Sequence, residues 1–308
     1  MVQRWRGRHV FDYISARFLD GLPQYVLGTQ YYVSKNDGNT RNAGTNPGKP
    51  LSTIQAAIDK ANALIDWSAT PIKRQIIWVE PGVYAENLTP AYYCDIVGLG
   101  IRGTDQMAEI HPTTGDCFAG TFLGTGLHNL RLEVDAQDAC MLDLGICNNS
   151  IIRACEFALG ANVTGVVGID TENCTHLVVE DCDFESGQLQ DMAYAIYHRG
   201  GADKFAHNCR YRGNRIFAQT VGIYIASNCT ASECVIGGPG KDGNFIHVAG
   251  TGTGIDGFGG GADTGGQAIA INNHIIIVGA GDAIHGLAAG KKLMNRTLVN
   301  GSYALETA

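Results

Sequence analysis

Four ionisable residues are spaced so that they could do chemistry together. Asp143 and Asp170 are separated by the same interval, 27 residues, as Glu172 and Arg199. Two carboxylates brought close must share a proton, bind a cation or turn apart. As a pair they suit the acid and the nucleophile or base of glycoside cleavage. Tyr197 and Tyr224 fall on the same 27-residue line and suit contact with a carbohydrate without cleavage. The plainer reading of all six is a solvated face whose opposite charges compensate one another. A second line, Glu156, Asp183 and Arg210, with Glu180, Asp181 and Glu185 near it, has the look of such a surface.

These residues become neighbours only if the chain winds with that period. Leu142, Ile169, Ile196 and Ile223 repeat at it, as do Cys155, Cys182 and Cys209, and Phe157, Phe184 and Tyr211. Cys147 and Cys174 form another such pair, and Cys234 continues the cysteine series after a shorter step. A fixed period is the signature of one structural unit traversed repeatedly. Each unit here consists of short β-like runs separated by Gly, Asn and Asp. This predicts an all-β chain, a single-stranded parallel β-helix of about 27 residues per coil and roughly eight to ten coils. Glycine, 41 of 308 residues, exceeds its usual share of about 7%, which suits many tight corners. If the Leu142 series points inward, strand alternation turns Asp143, Asp170, Tyr197 and Tyr224 outward.

The ten cysteines lie mostly in apolar strand positions and read as buried free thiols. Disulfides between rungs about 4.8 Å apart are geometrically possible. The placement favours a reducing compartment instead. No CxxC and no Cys/His pairing of the zinc kind occurs, so neither a metal nor a cofactor is expected. His176, His198, His207, His247, His274 and His285 are scattered and read as structural. The formal charge of −8 and the lack of a basic stripe argue against nucleic acid as a partner. No stretch is apolar enough to span a membrane. Met1 to Arg8 is basic, but no apolar run follows, so no secretory signal is expected.

Residues 1–30 form a distinct arm. Four arginines against two aspartates give it +2, leaving −10 for the remainder. Phe11, Ile14 and Phe18 share a face at helical spacing. With Arg4, Trp5, Arg6 and Arg8 they either cap the stack or dock on a partner, and docking is the expectation. Residues 31–288 form the β-helical body. Within it, 52–66 read as a capping helix opened by a Ser52–Gln55 capping box, with an apolar face of Ile54, Ala57, Ile58, Ala61 and Ile65. A glycine-rich run at 250–266 reads as an excursion from the stack, and 289–308 as a C-terminal extension.

Two segments carry a family resemblance. Pro50-Leu51-Ser52-Thr53-Ile54-Gln55-Ala56-Ala57-Ile58, followed by Ile77-Trp78-Val79-Glu80-Pro81-Gly82-Val83-Tyr84-Ala85-Glu86, resembles the opening of the pectin-lyase-like superfamily of right-handed parallel β-helices. The Gly82-x-Tyr84-x-Glu86 element is similar to that of pectin methylesterases and their non-enzymatic relatives. The esterases' Asp-Phe-Ile-Phe-Gly and Leu-Gly-Arg-Pro-Trp motifs do not occur. The nearest run, Gly168-Ile169-Asp170-Thr171, lacks their aromatic context. The calcium-dependent lyase pattern, an Asp cluster with an Arg-containing proline motif, is missing too. Fold alone does not assign chemistry. The resemblance, extended to bacteriophage virion β-helix proteins, implies a non-catalytic homotrimeric spike. Such a spike would decorate a capsid or form a short tail spike, attached to a capsid or tail protein through its N-terminal arm. It would be made in the host cytoplasm and located in the virion. The alternatives are a phage depolymerase or lyase acting on bacterial surface polysaccharide at Asp143, Asp170, Glu172 and Arg199, and a non-cleaving carbohydrate-binding protein using Tyr197 and Tyr224.

Overall fold

The computed structural model describes residues 27–69, 72–160, 163–185, 192–201, 203–226, 229–257, 268–287 and 292–306. The docking residues expected in the arm (Arg4, Trp5, Arg6, Arg8, Phe11, Ile14 and Phe18) lie outside them. The chain is all-β, built on two long parallel sheets, one of ten strands and one of eighteen. Among the described residues no helix is long and apolar enough to cross a membrane.

The core follows from period-2 alternation along strands that stack in parallel register. In the ten-stranded sheet Tyr31, Ile77, Ile96, Leu127, Ile152, Val179, Tyr211, Ile236 and Ala270 are successive register partners, and all are buried. In the second sheet Phe118, Leu142, Ile169, Ile196, Ile223, Ile255 and Ile284 form a matching column. One position before most of these, Gly168, Ala195, Gly222, Gly254 and Ala283 keep the backbones close. A Cβ on Gly222 would lie 2.6 Å from both the Gly254 carbonyl oxygen and a methyl of Ile246, so no larger side chain fits there.

The 27-residue interval does not run the full length. Ile169 pairs with Ile196, but Asn173 pairs with Phe205. The five extra residues fall between His198 and Lys204, and from there the offset is 32. Cys155 and Cys182 remain adjacent, and the rings of Phe157 and Phe184 stack at 4.3 Å. Cys209 does not join that column, and Tyr211 belongs to the ten-stranded sheet opposite Val179. The place above Cys182 is taken by Asn214, whose Oδ1 accepts the Cys182 amide at 3.0 Å. Asn214, Asn244, Asn273 and Asn295 then form a buried ladder. Each backbone N–H donates to the next Oδ1 at 2.9–3.1 Å, and each side-chain amide donates to that same oxygen at 2.9 Å. At a corner, where strand pairing lapses, these side chains satisfy backbone groups that burial would leave unpaired. None of the ten cysteines is disulfide-bonded, and all but Cys140 are buried.

Helix α1, Ile54–Asn62, is shorter than the expected 52–66, and its N-cap is Thr53, not Ser52. The capping box does not form. Instead, the carboxylate of Glu86 accepts the amides of Ile54 and Gln55, both at 3.0 Å. A charged acceptor at the positive end of the helix, delivered from 31 and 32 residues away, thus joins the local Thr53 hydroxyl, which accepts the Ala56 amide at 3.4 Å. Tyr84, from the same motif, is buried, and its hydroxyl donates to the Glu80 carbonyl at 2.9 Å. Part of the glycine-rich run stays in the stack, since Thr253–Gly257 pairs in parallel with Val221–Ile225. The segment expected as a C-terminal extension contributes two further parallel strands, Lys292–Leu293 and Asn295–Val299, and then an antiparallel one, Ser302–Glu306.

Candidate functional site

One outward column of the second sheet collects most of the residues singled out from the sequence. Ala119, Asp143, Asp170, Tyr197, Tyr224, Asp256 and His285 are successive register partners. They alternate with the buried Leu142 series, which is why one surface receives them all. Glu172 lies two residues further along the Asp170 strand, and Arg199 follows directly after the Tyr197 strand, Met192–His198.

Arg199 ties the acidic half of this column together. Its Nη2 lies 2.9 Å from Asp143 and 2.8 Å from Asp170, and its Nη1 donates to Glu172 at 3.1 Å. Lys204 holds the other Glu172 oxygen at 2.5 Å. Arg199 still keeps the 27-residue interval from Glu172, whereas Lys204 follows the five extra residues, so the longer step brings in the second cation. Asp116 completes it by accepting the Cys140 amide at 2.8 Å. Four carboxylates against two cations leave a modest negative excess.

The two aspartates are not equivalent. The Asp143 side chain is 34% exposed and that of Asp170 only 7%. Asp170 Oδ1 is buried without a hydrogen-bond partner, while Oδ2 accepts from Arg199 and from the Cys140 thiol at 3.6 Å. Burial pushes the Asp170 carboxyl above its ordinary range; Arg199 opposes this and Asp143 adds to it. Burial likewise raises Asp116. Glu172 is lowered, chiefly by its hydrogen bond from Lys204. Burial, reinforced by Asp170, Asp116 and Asp143, pushes the Cys140 thiol up to about 12, which leaves it a poor nucleophile. Arg199 is held further into its charged form, first by Asp170.

The aromatic half adds a residue that the repeat did not point to. Tyr197 and Tyr224 stack at 5.3 Å and 5° between planes, and Tyr194 tilts against both at 5.2 and 5.7 Å. Tyr194 lies three positions before Tyr197 and so escapes an argument built on single columns. Stacked along the column, Tyr197 and Tyr224 cover each other's faces and offer mainly edges and hydroxyls to a ligand. Beyond them Asp256 and His285 pair at 3.0 Å.

The second line is rearranged by the register shift. Asp183 pairs with Arg215, not Arg210, and Arg215 binds it at 2.6 Å. Glu180 is buried between Arg153 and Arg212, beside a cavity of about 400 Å³ that Asp181, Lys241 and Asp242 also line. Its acids and bases are paired or balanced, as expected of a compensated surface. His198 is structural: buried within the stack, its ring nitrogens meet Thr171 Oγ1 at 2.7 Å and the Tyr211 hydroxyl.

No protein-family model matches this sequence, and no curated protein is similar enough to count as a match.

Proposed function

We propose that this chain is a right-handed parallel β-helix serving as a non-catalytic structural shaft: a homotrimeric surface spike of a bacteriophage particle, attached through its N-terminal arm. The observation that carries the non-catalytic reading is the Arg199 bridge. One guanidinium engages Asp143, Asp170 and Glu172 at once, so the best candidate acids are already occupied by the chain's own cation. The parallel registers and the continuous buried columns support the β-helical reading. The resemblance of the 50–86 segment supports right-handedness, and the basic, aromatic arm supports attachment. The expected 1–30 arm overlaps the strand Leu27–Val33, which pairs with Arg74–Val79, so the test removes residues 1–26, which should abolish incorporation into particles while leaving a folded trimer by light scattering. Unchanged incorporation, or a monomer, would sink the proposal.

A second reading has one observation in its favour. Asp143 and Asp170 sit in unlike environments, and such splitting assigns a proton holder and an ionised partner in carboxylate-pair enzymes. Under this reading the chain cleaves bacterial surface polysaccharide. Incubation with host polysaccharide decides it: product release that disappears in Asp143→Asn/Asp170→Asn supports cleavage, and intact polysaccharide with the unaltered chain excludes it.

A further inference from the structure

A different outward cluster lies nearer the N-terminal end of the stack. The strand Ala108–Ile110 carries Glu109, with His111 just beyond it. The strand Leu130–Val134 carries Arg131 and Glu133, with Asp135 next. Glu109 pairs with Arg131 and Ile110 with Leu132, which brings His111 beside Glu133. Ile110 and Leu132 are fully buried, so alternation turns the polar residues outward.

Both nitrogens of the His111 ring face carboxylates: Nε2 is 2.8 Å from Asp135 Oδ2 and Nδ1 is 3.2 Å from Glu109 Oε1. A neutral imidazole has one N–H. Placing it on the shorter contact, toward Asp135, leaves the Nδ1 lone pair facing a carboxylate oxygen. That contact becomes attractive when a positive species lies between them, either a second ring proton or a metal ion. Donor atoms of Glu109, His111 and Glu133 all fall within 4.8 Å of one another. Arg131 binds Glu133 Oε2 at 2.8 Å and approaches Glu109 Oε2 at 3.6 Å, which leaves the Oε1 atom of each glutamate for another cation. Arg131 also approaches Glu156 at 3.8 Å, and Arg102 faces Glu156 at 3.9 Å; with the imidazole neutral, four carboxylates against two guanidiniums leave two negative charges, the charge a divalent ion balances.

We propose that Glu109, His111 and Glu133 bind a divalent first-row transition cation, with Asp135 orienting the imidazole. One nitrogen and two carboxylate oxygens suit zinc or manganese better than calcium or magnesium, which take oxygen alone. Three protein donors leave coordination positions for water. The carboxylate on the far ring nitrogen is the usual outer-shell partner of a metal-bound histidine, fixing its tautomer and raising its basicity. Cysteine and histidine spacing does not reveal such a site. Here the ligands come from a Glu-x-His and a Glu-x-Asp run that only strand register unites.

The test is a zinc titration of the full chain by calorimetry, repeated with His111→Ala and Glu133→Gln, with cobalt absorption as a second readout. The expected result is one zinc ion per chain, affinity reduced at least tenfold in either variant, and about tenfold in Asp135→Asn. Bound cobalt should show no thiolate charge-transfer band. If His111→Ala does not fold, Glu133→Gln and Glu109→Gln carry the test. Absence of zinc binding by the folded chain, binding unchanged in the ligand variants, or a thiolate band would each overturn the proposal.

Discussion

Two outward acidic clusters among the described residues differ in where their positive charge comes from. Around Asp170 the chain supplies it: Arg199 and Lys204 engage three of the four carboxylates. Around His111 the guanidinium of Arg131 takes Oε2 of both Glu109 and Glu133, and Oε1 of Glu109 faces the imidazole. The same strand alternation builds both. What separates them is the supply of cations: Arg199 stands on the 27-residue interval from Glu172, and the five extra residues after His198 bring Lys204 onto the same carboxylate. Similar acidic density therefore yields a closed staple in one place and an open ligand set in the other.

Removing Arg199 should break this contrast most severely. Arg199→Ala leaves Asp170 buried without its cation, and a cost of about 3 kcal/mol is expected from denaturant unfolding. Adding Asp170→Asn should restore most of that loss, and an unrestored double variant would mean that Arg199 acts mainly through packing. The open cluster should respond to metal instead. Zinc at a hundred times its dissociation constant should stabilise the chain by about 2.7 kcal/mol, read as a thermal shift absent in His111→Ala.

The pH dependence sharpens the comparison further. Because the folded Asp170 pKa lies above its unfolded value, the folded state binds the extra proton between the two values. Stability should therefore fall as pH rises through that window and remain lower above it. Glu172, whose pKa is lowered, acts in the opposite sense: its contribution is lost as pH falls through its folded value. Asp170→Asn separates the two. It should shrink the falling limb, to which Asp116 also contributes, and keep the rising one, and unchanged acid-side unfolding curves would contradict the buried-carboxyl account. The smallest effect is expected at Arg215, half exposed on Asp183 and Glu185. Arg215→Ala should cost under about 1 kcal/mol and less still at high salt.

Several elements could be read in advance because they rest on local alternation and an unbroken interval. The inward series Leu142, Ile169, Ile196 and Ile223, the outward series Asp143, Asp170, Tyr197 and Tyr224, and the Glu172–Arg199 pair all occupy the part of the stack where the offset stays at 27. Cys209, Tyr211 and Arg210 were misplaced because a period counted along the chain does not reveal which corner absorbs an insertion. The asparagine ladder escaped for the same reason, its members being spaced unevenly. Asp116 and Tyr194 escaped because neither shares the column of the residues it touches.

By itself the sequence determined the alternation, the stacking interval and hence which side chains face the core. These follow from strand geometry and apolar burial, which act on neighbouring residues. Tertiary structure alone decided which charges meet. Glu86 on the end of α1, Arg199 across three rungs, and His111 between Glu109 and Asp135 are contacts between separate strands and turns. Their distances depend on register and corner length, and a shift of five residues is enough to give every outward group beyond it a different neighbour.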